Sequence, residues 1–335
     1  MAQVQCHELG AFRLECGVTL PAARLVYTTH GTLSLARDNA VLFPTWFGCN
    51  HDFNEWIIGP KWGLDPHRHF IIVVNILGNG HSSSPSNSPA PHDGPRFPAV
   101  SVLDNVRLQR HMLRAVFGID RLRLVVGRSM GAQIAYQWAC HYPAAVERLL
   151  ALAGSARTSD HNWLFLEQVR NALTSDPEWL SGEYAQPLTL GLQRMRMLFD
   201  GWGVGQGYFR RGLYKAQGYA SAQAFATRSM GEMRVDANDI LAQIGTWQTA
   251  DASANPKFGG DLSAALGAIT ARTIVMPCAT DLYFPPEDSA IEVAMMRDAQ
   301  LRVIQSDWGH RAGSPGSDPV DIAMVDGAIR DLLAR

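Results

Sequence analysis

The sequence has few cysteines, and their arrangement excludes several classes of protein. Only five cysteines occur among 335 residues, they lie far apart, and no two form a Cys-x-x-Cys pair. An odd and scattered set argues against both a disulfide framework and a structural zinc site. It favours a reducing compartment, and we therefore expect a cytoplasmic protein.

The sequence also lacks an excess of charge and a long apolar run. Twenty-nine basic residues stand against 31 acidic ones, for a formal net charge of −2, and the basic residues are scattered. Binding to nucleic acid or to an anionic membrane is therefore not expected. The chain begins without the pattern of a signal peptide, and no apolar run approaches the ~20 residues that span a bilayer. The composition is that of a soluble globular protein.

What the sequence does contain is a series of short apolar runs that end in turn residues. Each is rich in Val, Ile or Leu and has the length of a strand buried on both faces, as in a parallel sheet. The runs cover residues 39–48, 69–78, 122–127, 148–154 and 272–281, with a weaker one at 301–306. Helix-like segments alternate with them. The pattern predicts the α/β class with a mostly parallel, doubly wound sheet.

This alternation stops in the second half of the chain. Between residues 156 and 268 the segments 164–173, 190–199 and 236–247 have helical periodicity, and Gly-rich turns separate them. The stretch is too long to be a structureless loop in a compact fold. We therefore predict an α/β core formed by residues 1–155 and 269–335 and a helical lid insertion formed by residues 156–268, called the lid insertion below.

The tetrapeptide Arg-Ser-Met-Gly occurs twice and offers two candidate nucleophiles. Around Ser129 it completes a G-x-S-x-G motif from Gly127 to Gly131, with an apolar strand before it and an amphipathic helix after it. This context is that of a nucleophile turn, in which glycines make room for a strained serine at a helix N-terminus. Ser229 has Thr227 in place of the first glycine and no strand before it. Ser129 is the predicted nucleophile.

A serine nucleophile needs a histidine base and a carboxylate that orients the base. Asp281 directly follows an apolar strand, at the edge where α/β sheets build their sites, and His310 lies in a Gly-flanked loop further on. The order serine, acid, histidine is that of this type of site. Three other acids lie nearby but do not end a strand: Asp307, Asp288 and Glu287.

The site also needs two N–H donors for the oxyanion that forms during acyl transfer. One donor comes from the residue after the nucleophile, which is Met130, and the other from the loop after an earlier strand. In the loop of residues 44–48 we predict Trp46 as the second donor, with Phe47 as the alternative.

Several stretches resemble the homoserine O-acetyltransferase family of α/β-hydrolase-fold acyltransferases. The resemblance lies in residues 14–33, 37–43, 56–80, 96–113, 125–143, 280–292 and 308–310, which is most of the chain outside the lid insertion. It implies the α/β-hydrolase fold, a triad of Ser129, Asp281 and His310, an acyl-enzyme intermediate, and no metal or other cofactor. It further implies a homodimer formed through the lid insertion.

The sequence departs from this family where its homoserine-acylating members hold the substrate charges. Their lid helix carries an arginine for the carboxylate, and the matching position here is Gly201. They carry an aspartate after the catalytic histidine, where this chain has Arg311, which is expected to repel an ammonium group. Four arginines of the lid insertion could substitute for the missing one: Arg194, Arg196, Arg210 and Arg211.

The predicted pocket is instead aromatic and suits an apolar ester. Its predicted lining, beyond the triad and Trp46, is Phe47, Arg128, Trp202, Tyr283 and Arg311. These features predict a serine esterase that hydrolyses short-chain, acetate-type esters of small alcohols. The alternative is a CoA-dependent O-acyltransferase, in which an alcohol instead of water resolves the acyl-enzyme. A non-catalytic small-molecule binder of the same fold is a third possibility.

Overall fold

The computed structural model describes residues 3–227 and 235–334, and these form one eight-stranded sheet. The strand order is β1-β2-β4-β3-β5-β6-β7-β8. Strand β2 pairs antiparallel with β1 and with β4, and every other pair is parallel. The strands are Val4–Arg13 (β1), Thr19–His30 (β2), Ala40–Pro44 (β3), Phe70–Val74 (β4), Leu124–Arg128 (β5), Arg148–Leu152 (β6), Arg272–Met276 (β7) and Ala299–Leu301 (β8).

Some of the helices pack on this sheet, and others lie in the segment between β6 and β7. They are Val102–Phe117 (α1), Met130–His141 (α2), Asp160–Thr174 (α3), Thr189–Trp202 (α4), Gln206–Arg210 (α5), Ala222–Ala226 (α6), Ala237–Gln248 (α7), Leu262–Gly267 (α8), Pro286–Ala294 (α9) and Pro319–Leu333 (α10). Each helix in the described ranges is too short or too polar to cross a bilayer. The predicted α/β class with a mostly parallel sheet is confirmed.

The central strands form where the apolar runs predicted them. All residues of β3, β4 and β5 are buried, as expected of strands covered on both faces. Helix α2 packs on β5 and β6, and α10 packs on β6 and β7. Because β3, β5, β6 and β7 run parallel, the loops that follow them meet at one edge of the sheet.

Two parts of the sheet differ from the sequence-based expectation. The strand predicted at residues 301–306 is wrong, since β8 ends at Leu301 and only an isolated bridge from Ile304 to Cys278 follows. Pro277, which directly follows β7, has no N–H to donate and so interrupts the ladder there. The hairpin of β1 and β2 was not predicted, because β1 is largely exposed and has no apolar run.

The segment between β6 and β7 contains helices α3 to α8 within the described residues. Helix α3 packs against α4 and α7. The predicted segments 164–173, 190–199 and 236–247 lie within α3, α4 and, except for one residue, α7. We propose that residues 156–268 form a single lid insertion in the α/β core.

Candidate active site

The nucleophile turn joins β5 to α2 and places Ser129 at its apex. Ser129 has φ 54° and ψ −128°, a conformation that costs free energy for a residue with a Cβ atom. A Cβ atom at Gly127 would lie 2.3 Å from the carbonyl oxygen of Gly131. A Cβ atom at Gly154 would lie 2.6 Å from the carbonyl oxygen of Ser129. Only glycine fits beside the strained serine at these two positions.

The three predicted triad side chains form one chain of hydrogen bonds. His310 Nε2 lies 2.9 Å from Ser129 Oγ, and His310 Nδ1 lies 2.9 Å from Asp281 Oδ2. The other carboxylate oxygen of Asp281 accepts the backbone N–H groups of Tyr283 at 2.8 Å and Phe284 at 3.2 Å. The carboxylate is therefore fixed on both sides, and it orients the imidazole toward the serine hydroxyl.

The other acids considered for the triad do not bond to His310 in the described structure. Asp307 forms an ion pair with Arg211 at 3.0 Å, and Glu287 and Asp288 lie in the first turn of α9. None of these acids forms a hydrogen bond or ion pair with His310 among the described residues. The second serine candidate, Ser229, lies outside the described residues.

The surroundings of His310 keep its imidazole neutral. Burial lowers the pKa of His310, and the positive charges of Arg128 and Arg311 lower it further, while Asp281 opposes the shift. The net effect is a pKa below the usual value of histidine. The imidazole is therefore in the form that can accept a proton from the serine hydroxyl at neutral pH.

Unused backbone donors lie next to the serine. The N–H of Met130, at the first residue of α2, and the N–H groups of Trp46 and Phe47 donate no hydrogen bond within the described part of the chain. The nucleophile turn and the loop of residues 44–48 are close together, since a Cβ atom at Gly131 would lie 3.1 Å from the carbonyl oxygen of Thr45. Both Trp46 and Phe47 remain candidates for the second oxyanion donor.

A cavity of about 260 Å³ opens onto the serine. It is lined by Trp46, Phe47, Arg128, Ser129, Phe199, Gly203, Trp247, Tyr283, His310 and Arg311. Most of these side chains are aromatic, and no carboxylate is among them. The cavity therefore offers a largely aromatic site of modest size, with two arginines and the predicted nucleophile in its lining.

One predicted pocket residue is displaced. Trp202 does not line the cavity, and its ring packs instead against His161, with 5.0 Å between the ring centroids. The cavity wall is formed by Phe199 and Gly203 of the same region and by Trp247 of α7. Sequence reasoning missed these three, because helical periodicity identifies a buried face but not the site that the face meets.

The charges near the cavity also differ from the expectation. Arg311 forms an ion pair with Asp200 of α4, and this carboxylate weakens the predicted repulsion of an ammonium group. Gly201 is exposed and a Cβ atom there would have no neighbour within 4 Å, so this position does not face the cavity. The four arginines proposed as substitutes are also absent from the cavity lining: Arg194, Arg196, Arg210 and Arg211.

Comparisons with known proteins agree with this architecture. Residues 41–197 match the α/β hydrolase fold family. The chain is 39% identical to an ethyl acetate hydrolase of Pseudomonas veronii, over 97% of this chain and 94% of that protein. It is 32% identical to a homoserine O-acetyltransferase of Trichormus variabilis, over 90% and 87%. The solved acetyl esterase MekB superimposes with a TM-score of 0.95 at 38% identity, over 99% and 97% of the two chains. The chain belongs to the α/β-hydrolase-fold family that contains these acetyl esterases and the homoserine O-acetyltransferases.

Proposed function

We propose that this chain is a serine esterase that hydrolyses acetate-type esters of small alcohols, with Ser129, His310 and Asp281 as its catalytic triad. The observation that carries the proposal is the hydrogen-bonded chain from Asp281 through His310 to Ser129, with both distances at 2.9 Å. The names of the relatives, an ethyl acetate hydrolase and an acetyl esterase, support the choice of substrate.

The reaction follows from the positions of these groups. Ser129 Oγ attacks the ester carbonyl while His310 Nε2 takes the hydroxyl proton, and the carbonyl oxygen becomes an oxyanion. The N–H groups of Met130 and Trp46 stabilise this oxyanion, and one such donor contributes roughly 3 kcal/mol to lowering the barrier. His310 then gives the proton to the departing alcohol. Water, activated in the same way, attacks the acyl-enzyme and releases the acid.

The cavity favours water over an amino acid as the acyl acceptor. Homoserine carries an ammonium group and a carboxylate, and each would need a partner of opposite charge in a pocket that excludes water. The cavity lining contains no carboxylate, so the ammonium group of homoserine would have no partner there. A small uncharged ester meets no such penalty among the rings of Phe47, Phe199 and Trp247.

The experiment is hydrolysis of p-nitrophenyl acetate by the purified protein, with and without homoserine. We expect saturable hydrolysis that homoserine does not accelerate and no O-acetylhomoserine among the products. Formation of O-acetylhomoserine from acetyl-CoA faster than hydrolysis would instead establish the acyltransferase alternative. Absence of both activities, together with no labelling by a fluorophosphonate, would leave the small-molecule binder.

Two serine variants assign the nucleophile. Ser129→Ala should lose hydrolysis and fluorophosphonate labelling without loss of folding, because the hydroxyl accepts the acyl group and fills little space. Ser229→Ala is the matched control, because it removes the same hydroxyl from the second Arg-Ser-Met-Gly copy, and it should keep nearly full activity. The reverse result would move the nucleophile to the second copy.

We also propose that the chain acts in the cytoplasm as a homodimer formed through the lid insertion. Large apolar side chains on α3 and α4 are exposed in the single chain, among them Trp163, Leu164, Leu190 and Met197. Burial of these groups against a second copy would remove them from water. All five cysteines are free thiols, as suits a reducing compartment. Sedimentation of the wild type and of Leu190→Asp tests the dimer, which the variant should weaken.

A further inference from the structure

Arg128 brings a buried positive charge to the catalytic cavity and forms no ion pair with a carboxylate in the described part of the chain. It is the last residue of β5, directly before Ser129, and it is 5% exposed. No ion pair joins it to an acid among residues 3–227 and 235–334. Burial lowers the pKa of Arg128 to about 10, so the guanidinium remains charged at neutral pH. A buried and unpaired charge is costly, and its presence calls for a role.

The guanidinium contacts the two loops that flank the nucleophile. Its Nη2 atom donates a hydrogen bond of 2.8 Å to the backbone carbonyl oxygen of His310. Its central carbon lies 5.1 Å from the centre of the Trp46 ring, at the distance of a cation–π contact. Its Nε atom is buried and has no partner in the described structure. The contacts of Arg128 therefore join the loop of the base to the loop of an oxyanion donor.

We propose that Arg128 is a positioning residue that fastens the backbone of His310 and the ring of Trp46 against the nucleophile turn. The hydrogen bond is made to the main chain of the residue that supplies the base, so its loss frees the imidazole to shift relative to Ser129. A displacement of about 1 Å at a reacting group can cost roughly 100-fold in rate. This inference rests on the proposed esterase function of the same site.

The charge of Arg128 gives this role a second, separate consequence. His310 is faced by Asp281, by Arg311 with its partner Asp200, by the ring of Tyr283 at 4.7 Å, and by Arg128. Positive charge near an imidazole disfavours its protonated form, so Arg128 helps to keep the base available at low pH. One substitution of Arg128 that keeps the positive charge and one that removes it can therefore separate the positioning of His310 from the electrostatic effect on its imidazole.

The test compares Arg128→Lys and Arg128→Met by steady-state hydrolysis of p-nitrophenyl acetate between pH 5 and 9. In Arg128→Met we expect kcat to fall by roughly 10- to 100-fold with little change in KM, since the lost contacts orient catalytic groups and do not bind substrate. The acid limb of kcat/KM should also move to higher pH. Arg128→Lys keeps the charge but not the planar fork, so kcat should fall while the acid limb stays in place.

The control is Arg148→Met, which removes an arginine at the amino end of the neighbouring strand β6, paired with Glu147 at 2.6 Å. It should leave kcat and the acid limb unchanged. Thermal unfolding checks folding, and Arg128→Met should melt no lower than wild type, because an apolar side chain replaces a buried unpaired charge. If Arg128→Met does not fold, the fall in kcat of Arg128→Lys decides the question.

Two results would overturn the inference. One is that both variants keep kcat within about twofold of wild type with an unmoved acid limb. The other is that Arg148→Met loses as much activity as Arg128→Met, which would show a general effect of removing an arginine. Neither result would touch the proposed function, which is tested separately by hydrolysis of p-nitrophenyl acetate in the wild type and in Ser129→Ala.

Discussion

The side-chain amide of Gln243 is hydrogen-bonded to the backbone of Gly48 in the loop that follows β3. Gln243 lies on α7, is buried, and accepts the backbone N–H of Gly48 at 2.9 Å. Its amide nitrogen donates to the carbonyl oxygen of Gly78 at 2.8 Å. Gly48 directly follows the two candidate oxyanion donors, Trp46 and Phe47. Helix α7 is thus hydrogen-bonded to the loop that carries these donors.

We predict that Gln243→Leu lowers kcat by roughly tenfold or more with a small effect on KM, because the oxyanion is bound only in the transition state. The same variant should bind a boronic acid transition-state analogue more weakly. Thr246→Val is the matched control, since Thr246 on the same helix donates to the Val100 carbonyl oxygen at 2.8 Å and has no hydrogen bond to the loop of residues 44–48 in the described structure. Equal loss of kcat in both variants would contradict a specific role of Gln243.

We predict that Asp281→Asn lowers kcat by up to roughly 10⁴-fold, because an amide in place of the carboxylate favours the wrong imidazole tautomer. Asp307→Asn is its control and should cost little, because Asp307 pairs with Arg211 and not with His310. Hydrolysis of p-nitrophenyl acetate measures both. A small loss at Asp281 with a large one at Asp307 or Asp288 would transfer the acid role.

The pH dependence of the wild type follows from the lowered pKa of His310. The base must be neutral to accept the serine proton, and a lowered pKa keeps it neutral to lower pH. We therefore predict that the acid limb of kcat/KM lies below the usual histidine value of about 6.5. An acid limb clearly above that value would show that Asp281 outweighs burial and the charges of Arg128 and Arg311.

A fourth prediction concerns the attachment of the lid insertion. Glu292 of α9 is buried and accepts the backbone N–H of Ala156 at 2.7 Å, where the lid insertion begins. Burial raises the pKa of Glu292 from an ordinary 4.5 to about 8. The folded state therefore binds this proton more tightly than the unfolded state does. Stability contributed by the protonated carboxyl is present at low pH and is lost as pH rises from about 4.5 through about 8.

Glu292→Gln keeps the acceptor oxygen but does not ionise. On going from pH 5.5 to pH 8.5, this variant should gain stability relative to wild type by roughly 3 kcal/mol. Urea unfolding at the two pH values measures the difference, with Glu287→Gln, an exposed position on the same helix, as the control. The prediction is wrong if the two variants show the same change with pH.

The sequence was most informative where local geometry limits the choice of residue. A nucleophile turn needs a strand before the serine, glycines beside it and a helix after it. Because the neighbours of Ser129 meet these conditions and those of Ser229 do not, Ser129 could be selected from the sequence alone. The predicted fold and family are confirmed. Asp281 and His310 could be proposed because parallel strands bring their following loops to one edge. Their catalytic roles, like the role of Ser129, stay predictions that the variants above test.

The parts that could not be predicted depend on contacts between distant segments. Phe199 lines the cavity, whereas Trp202, three residues later, packs its ring against His161 and does not line it. From the sequence alone Arg311 is expected to be an unpaired charge. Its ion-pair partner, Asp200, lies on α4, more than 100 residues earlier in the chain. Helical periodicity carries no information on such partners.

The division of the cavity wall between two parts of the chain has a consequence for how such enzymes diverge. The groups proposed to perform the chemistry lie in loops at the edge of the sheet, whereas Phe199, Gly203 and Trp247 lie between β6 and β7, in the segment proposed to be the lid insertion. Mutations in the insertion can therefore reshape the chamber around an unaltered nucleophile. A lineage can exchange one acyl acceptor for another in this way without passing through an inactive ancestor.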